Sequence, residues 1–326
     1  MSQLIRYGSH ALAGFLPVPG STRGVSYRST KTGQFPLDPD TTMAFRFTDD
    51  TLTAIVGPVL TFERSGNGTY YGSDALLKTA TTDNPRFEHD QITLVSQGLM
   101  FEQSRTNLAL WGRDLTNAAW TKTNLTTALD QTGIDGTANS ASSLTATAGN
   151  GTANQVVTSA NGSQTVSYSI KRLTGVGAIQ ISAGNGVYQT VAVTNEWVRF
   201  ETTQSTTNPT IRVRVTVNGD SVAVDYGQLE QASFATHPIL TTTTSVVRAE
   251  ESCFTTDMTW LAAGLGTLYS KITPLYIQST IELFALNDGS FQESVYHRML
   301  NSIRSISNAR FTNADQWSIE INPGYA

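Results

Sequence analysis

The sequence predicts an all-β protein organised around an antiparallel β-sandwich. Three observations carry this. Between residues 155 and 229 short segments alternate apolar and polar positions, as half-buried strands do: 164–170, 178–182, 188–193, 197–201, 210–217 and 221–229. Asn-Gly, Gly-rich or Asn-Pro turns separate them, Asn218-Gly219 being the clearest, and no helical period intervenes. Charged residues are 14% of the chain, against about a quarter in an average globular protein. Threonine, serine, asparagine and glycine replace them, giving an uncharged, hydrated surface suited to strands and turns.

At 326 residues the chain has room for two or three domains, each with its own core. A net charge of −5 and a pI near 5.4, with no run of basic residues, argue against a nucleic-acid partner, because phosphate binding needs clustered Lys and Arg. Cys253 is the single cysteine and has no partner for an intramolecular disulfide; it reads as a small residue on a buried strand. Residues 1–20 lack the pattern of a secretory signal, and no segment has the roughly 18 apolar residues of a membrane span. The expectation is synthesis in a cytoplasm without a signal peptide and no membrane insertion.

Taken in order, residues 1–41 sustain neither period and read as an extended segment that orders against a partner. Residues 42–105 read as a hairpin and connecting strands. Within them, 43–47 and 59–64 alternate as strands, and Asn67-Gly68 reads as a type I′ turn before Tyr70-Tyr71. Gly98-Leu99-Met100-Phe101-Glu102 reads as a short buried strand and Ser104 to Leu108 as a polar turn. Residues 106–235 are the sandwich. Residues 236–326 are a linker and a C-terminal β unit, in which 266–273 and 281–286 read as strands. A helix through 292–306 is the alternative, since Val295, Met299, Ile303 and Ile306 fall at helical spacing.

Several ordered pieces carry a family resemblance. PRFEHD, GLMFEQSRTNL and NAAW, preceded by TFERSGNGTYYGSDALLKTA, resemble a motif run of bacteriophage virion proteins described as head spike fibres or tail appendages. Asp135-Gly136-Thr137, SYSIKRLTGVGAIQIS, Asn195 to Phe200 and DYGQLEQASFATHPILTTTTSVVRAEE resemble jelly-roll carbohydrate-binding modules of such appendages. Together they cover roughly residues 45–251 and imply a jelly roll closed by the strand at 224–230. They assign architectural roles to Pro85, Arg86, Phe87, Glu102, Arg105, Thr106, Asn107, Trp197, Gln228, Glu230 and Arg248. Glu102 and Glu230 would hold turns and sheet ends through backbone amides. The C-terminal unit is similar to the opening strands of a concanavalin-A-like lectin domain, and the chain stops before such a domain is complete.

The residues themselves offer little catalytic chemistry. His10, His89, His237 and His297 are far apart and show no metal-binding spacing. Glu88-His89-Asp90, Asp135 with Asn139, and Asn287-Asp288 lack the ligand density of a defined metal site. Glu102, Asp114, Asp225 and Glu230 supply enough carboxylates for a glycosidase, but sequence does not bring any two together. Gly175-Val176-Gly177 lacks the strand-to-helix context of a phosphate loop. No cofactor or metal is expected.

Sugar binding is the specific activity that remains. Pyranose rings stack on aromatic side chains while amides take their hydroxyls. Tyr188, with Asn185 and Gln189, is the first choice for such a platform, and Trp111 and Trp120 follow. Trp197 and Tyr226, on alternating strands, read as core. The resemblance implies a non-enzymatic structural protein of a tailed-phage particle, on the virion surface as a head fibre, decoration or tail appendage. Residues 1–41 would attach it to capsid or tail proteins, a homotrimer is favoured, and the module would meet host-surface glycans during adsorption. The alternatives are an architectural baseplate, neck or tail component binding only virion proteins, and a capsular-polysaccharide depolymerase.

Overall fold

The computed structural model describes residues 42–257 apart from Asn185, together with Thr259 and the strand segments 14–17, 266–269, 281–287, 294–301, 304–311 and 314–321. Among these residues there is no α-helix, only the 3-10 turn Phe47–Asp49. The strand pairs are antiparallel throughout, so the fold is all-β. The chain divides into two compact units, one of residues 65–81 and 104–249, the other of 1–64, 82–103 and 250–326.

The first unit is a sandwich of two five-stranded sheets. One sheet runs, in spatial order, Leu125–Gln131, Ala141–Ala146, Ser221–Glu230, Gly162–Thr174 and Val198–Thr206. The other runs Gln189–Val191, Ile179–Ser182, Thr210–Val215, Gly151–Val156 and Thr121–Thr123. Apart from the hairpins Leu125–Gln131 with Ala141–Ala146 and Ile179–Ser182 with Gln189–Val191, successive strands switch between the sheets, and their alternate residues meet in one jelly-roll core. Leu144, Val166, Tyr168, Ile170, Val222, Val224 and Leu229 come from the first sheet, and Ala153, Ile179, Ile181, Ile211, Val213 and Val215 from the second. Each large aliphatic side chain buried there contributes about 1.5–3 kcal/mol. The turn at Asn218-Gly219 forms with Gly219 at φ 82. It joins strands of different sheets, because Thr210–Val215 and Ser221–Glu230 belong to opposite layers.

A bulge sets the phase of the closing strand. Ser167 pairs with Gln228 and Ser169 with Asp225, so Tyr226 and Gly227 together face one residue. Tyr226 takes φ 47, and the Gly227 amide donates to the Gly112 carbonyl at 2.6 Å. A Cβ on Gly112 would lie 2.3 Å from the Gly227 carbonyl oxygen, so only glycine fits against the bulge. Val222 and Val224 point into the core before the bulge, and Leu229 does after it. Tyr226 therefore leaves the main core. It packs with Tyr71, Leu77 and Ile134 in a separate cluster, against which the half-buried Trp197 rests. The expectation that Tyr226 is a core residue is met, in this second cluster instead of the main core, because the extra residue inverts the alternation. Trp197, expected in the core as well, is only half-buried and precedes the strand Val198–Thr206.

The outer face of the first sheet is covered by the chain's own segments. The strand Arg105–Asn107 pairs with Val246–Arg248, so the residues that read as a polar turn are a strand. Asn107 uses its whole amide: Nδ2 donates to the carbonyls of Gly227 (3.3 Å) and Ile239 (2.8 Å), and Oδ1 accepts from the amides of Ala109 and Leu229, both at 3.0 Å. Gln228 Oε1 accepts from the Ile239 amide at 2.7 Å. The hairpin of Gly68–Tyr71 and Leu77–Ala80 adds to the cover, with Thr69 Oγ1 donating to the Pro238 carbonyl at 2.6 Å. Its turn is at Gly72 to Leu76, where Ala75 takes φ 61. Asn67-Gly68 is thus not the hairpin turn, because the strand before it, Thr61–Glu63, pairs with Ser252–Phe254.

The second unit has its own small core of Met43, Phe45, Phe47, Leu60, Phe62, Leu99, Phe101 and Cys253. The strand expected over 43–47 is only Met43–Ala44, after which the chain turns through Phe47–Asp49 while keeping its aromatic rings buried. Burial pushes the Cys253 thiol up to about 12, which keeps it protonated and unreactive at neutral pH. Beside this core lies a buried ion quartet. Glu251 accepts from Arg64 (2.8 Å) and from two nitrogens of Arg86 (2.6 and 2.5 Å), and Glu102 accepts from Arg86 Nη1 at 2.8 Å. Two positive and two negative groups balance, and each is held by directed bonds, which lets buried charge persist.

The C-terminal strands Ile281–Asn287, Ser294–Asn301, Arg304–Phe311 and Ala314–Ile321 form an antiparallel meander. The helical alternative over 292–306 is therefore overturned. Val295, Met299 and Ile306 lie on strands paired in register, and Ile303 lies outside the described residues. Of the N-terminal segment 1–41, only the strand Gly14–Pro17 is described, paired with Met43–Ala44 and Gly266–Tyr269.

Candidate functional site

The second sheet of the sandwich places a polar surface on its outer side. The segment Thr-Ile-Arg-Val-Arg-Val at 210–215 alternates strictly: Ile211, Val213 and Val215 are buried while Arg212 and Arg214 point outward. Register aligns Thr190, Gln180, Arg214, Thr152 and Thr123 in one row across the sheet. The next row holds Ser182, Arg212, Asn154 and Thr121.

Tyr188 belongs to this surface. The Arg214 guanidinium lies 3.4 Å from the centroid of its ring, a stacked cation–π contact. Gln180 sets the arginine's position: its Oε1 accepts from Arg214 Nε at 2.8 Å and also from Nη2, while its Nε2 donates to Thr190 Oγ1 at 3.1 Å. Upstream, Gly184 at φ 147 turns the chain, and Gln204 Nε2 donates to the Val187 carbonyl at 2.9 Å. A Cβ on Gly184 would lie 3.0 Å from Thr206 and 3.3 Å from Pro209, a tight fit that adds to the conformational preference for glycine. Tyr188 is therefore a half-buried ring on an anchored loop, held against a fixed cation.

The other residues selected for sugar binding lie elsewhere. Gln189 pairs with Ile181, so register puts it on the opposite side of the edge strand, and Thr190 takes its expected place beside Gln180. Asn185 lies outside the described residues. Trp120 is 1% exposed and belongs to the core; its Nε1 donates to the carbonyls of Leu110 (3.1 Å) and Trp111 (3.2 Å) and its ring meets Tyr168. It offers no face to a sugar, because a large indole whose one donor finds backbone acceptors is best placed inside. Trp111 is half-buried against the same core. Sequence reasoning missed Gln180, Asn154, Arg212 and Arg214, although the alternation at 210–215 already put both arginines on one side.

The residues of the motif run have definite positions. Arg86 and Glu102 join Glu251 in the buried quartet. Pro85 and Phe87 flank Arg86, with Phe87 packed on the small core. Arg105 lies over the Phe234 ring at 5.1 Å, Thr106 pairs with Val247, and Arg248 is buried. Glu230 accepts from the amide and hydroxyl of Thr236 at 2.8 and 2.7 Å. Lys171 Nζ sits 4.8 Å from the Trp197 ring centroid.

The carboxylates considered for hydrolysis are engaged in bonds of the protein itself. Asp225 takes Arg113 at 2.8 and 3.1 Å and the Ile134 and Tyr226 amides at 3.0 and 2.9 Å. Asp114 accepts from the amide and hydroxyl of Thr116. Asp135, considered as a calcium ligand, is paired through both oxygens with Arg113 at 2.8 Å, so a guanidinium occupies the place a cation would take. Among the described residues no group of three or more His, Cys, Asp or Glu side chains converges as a metal site. At Gly175 to Gly177 the Asp220 carboxylate accepts from the Gly177 amide at 2.6 Å, an arrangement that repels phosphate.

No protein-family model matches the chain, and no curated protein matches it in sequence. Among solved structures, it is similar to the CBM22-1 xylan-binding domain from Paenibacillus barcinonensis Xyn10C, with 15% identity and a TM-score of 0.28 over 41% of this chain and 96% of that one.

Proposed function

We propose that the chain is a structural protein of a tailed-bacteriophage particle, a head fibre, decoration or tail appendage whose sandwich binds host-surface glycans during adsorption without cleaving them. The motif run between Pro85 and Trp120 supports the particle assignment. One observation carries the binding assignment: Tyr188, half-buried and stacked on Arg214, stands on a sheet face furnished with Gln180, Thr152, Asn154 and Thr190. With one side of the ring taken by the guanidinium, the other serves a pyranose, and the flanking amides and hydroxyls take its hydroxyl groups. Display as a homotrimer would repeat this face three times and raise avidity without a new contact.

A glycan array probed with the full chain and with Tyr188→Ala tests the binding reading. Retention of particular glycans by the parent chain and at least tenfold weaker retention by the variant are expected. Equal retention by both would remove Tyr188 from the site. Antibody labelling of intact particles against residues 106–235 tests display: label on capsid or tail is expected, and no label sinks it.

A further inference from the structure

The binding face is electrostatically unlike the rest of the protein. The five strands of the second sheet contain Lys122, Arg212 and Arg214 and no Asp or Glu, whereas the whole chain carries −5. The first sheet is mixed: Lys171, Arg172 and Arg199 are accompanied by Asp130, Glu201, Asp225 and Glu230. The bordering segments 183–188 and 207–209 also lack acidic residues. Lys122 is consumed structurally, its Nζ donating to the carbonyls of Thr116, Asn117 and Trp120 at 2.8–2.9 Å. The two arginines are not.

Among the described residues neither Arg212 nor Arg214 has a carboxylate partner, although Arg64, Arg86, Arg113 and Arg172 each pair with at least one. Arg212 donates through Nη1 to the Thr210 carbonyl at 3.3 Å, leaving Nε and Nη2 without acceptors among the described residues. Arg214 is fixed through Nε and Nη2 by Gln180, leaving Nη1. Two residues apart on one strand, the arginines stand about 7 Å from each other on the same side. Unpaired guanidinium groups, held in place and surrounded by hydroxyls and amides, match a chain of sugars bearing anionic groups, since guanidinium donors bind carboxylate and sulfate oxygens with directed geometry.

We infer that the outer face of the second sheet binds an anionic polysaccharide, with Arg212 and Arg214 taking its acidic groups and Tyr188 stacking on a ring. A nucleic acid fits less well: the basic patch is two side chains wide, no run of Lys or Arg extends it, and the net charge of −5 opposes a polyphosphate. The inference rests on the reading of this face as a sugar site and adds the charge of the ligand to it.

The test is affinity electrophoresis of the full chain through gels containing polygalacturonate, alginate, hyaluronate or dextran sulfate. Methyl-esterified polygalacturonate and dextran serve as neutral counterparts, and single-stranded DNA as a non-sugar polyanion. Retardation by at least one anionic polymer is expected, at least tenfold stronger than by its neutral counterpart and weakened by added salt. Arg212→Gln/Arg214→Gln should lose that retardation while its melting temperature falls by no more than about 4 °C, and Arg212→Lys/Arg214→Lys should recover part of it. Retardation by polyuronates assigns carboxylate as the recognised group, and by dextran sulfate alone, sulfate. DNA binding as tight as sugar binding, or a double Gln variant that binds as the parent does, overturns the inference. So does binding to none of the four anionic polymers. Array glycans that are neutral and lost in Tyr188→Ala would leave the sugar site standing while removing its anionic character.

Discussion

On the closing strand Ser221–Glu230 every residue is buried, whereas on Thr210–Val215 burial alternates. Both strands occupy the middle of a five-stranded sheet, and both turn aliphatic side chains into the same core. They differ on the other side. Asp225, Gln228 and Glu230 meet segments of the chain itself, and each of their polar groups is satisfied by a bond that holds a segment down. Arg212 and Arg214 meet no carboxylate among the described residues. A polar group under cover stabilises the fold, and one left open is available for a ligand.

This contrast breaks in graded ways. Asp225→Ala should have the largest effect. It removes a bidentate partner from Arg113 and the acceptor of two amides, and about 3–5 kcal/mol of stability should disappear in urea unfolding. A loss below about 1 kcal/mol would mean that Asp135 holds Arg113 by itself. Asn107→Ala comes next, at roughly 2 kcal/mol, since it leaves buried backbone groups without partners. Hydrogen exchange at Leu229 and Ala109 should accelerate in that variant, which would localise the loosening to the cover.

Smaller effects sharpen the comparison. The Tyr168 hydroxyl is buried in the core without a hydrogen-bond partner among the described residues, and burial raises its pKa. Tyr168→Phe should therefore be neutral or stabilising by up to about 1 kcal/mol, read as a higher melting temperature. Burial pushes the Asp135 carboxyl up, but the Arg113 hydrogen bonds outweigh this and hold it below its ordinary 3.8. Its contribution is present above that value and lost as pH falls through the lower folded pKa. The acid-induced fall in melting temperature below about pH 4 should thus be shallower in Asp135→Asn. Arg214→Gln on the open face should change stability least, within about 0.5–1 kcal/mol for the lost stacking, while abolishing glycan retention. Substantial unfolding in that variant would make Arg214 a structural residue.

Much of the sandwich was legible in the sequence. Alternation at 164–170 and 210–217 located strands, and Asn218-Gly219 located a turn, because a period of two and positive-φ residues act over a few neighbours. The hairpin was misplaced because two turn signals compete: Asn67-Gly68 has suitable residues, yet the turn forms at Gly72 to Leu76, where Gly72, Ser73 and Asp74 carry the second signal and Ala75 takes φ 61. Tyr188 was legible as a ring beside amides and glycines. Trp120 was not, since an indole looks the same in sequence whether it faces sugar or core.

By itself the sequence determined that the chain is antiparallel β and that Arg212 and Arg214 share a side. Only the tertiary structure decided which side of each sheet is open. Alternation distinguishes two faces of a strand but does not say what lies above either. The bonds that cover the first sheet join residues 120 and 132 positions apart, Asn107 with Gly227 and with Ile239. Contacts at that separation leave no local pattern, and the bulge at Tyr226 that turns its ring toward the cover is fixed by pairing with a strand more than fifty residues earlier.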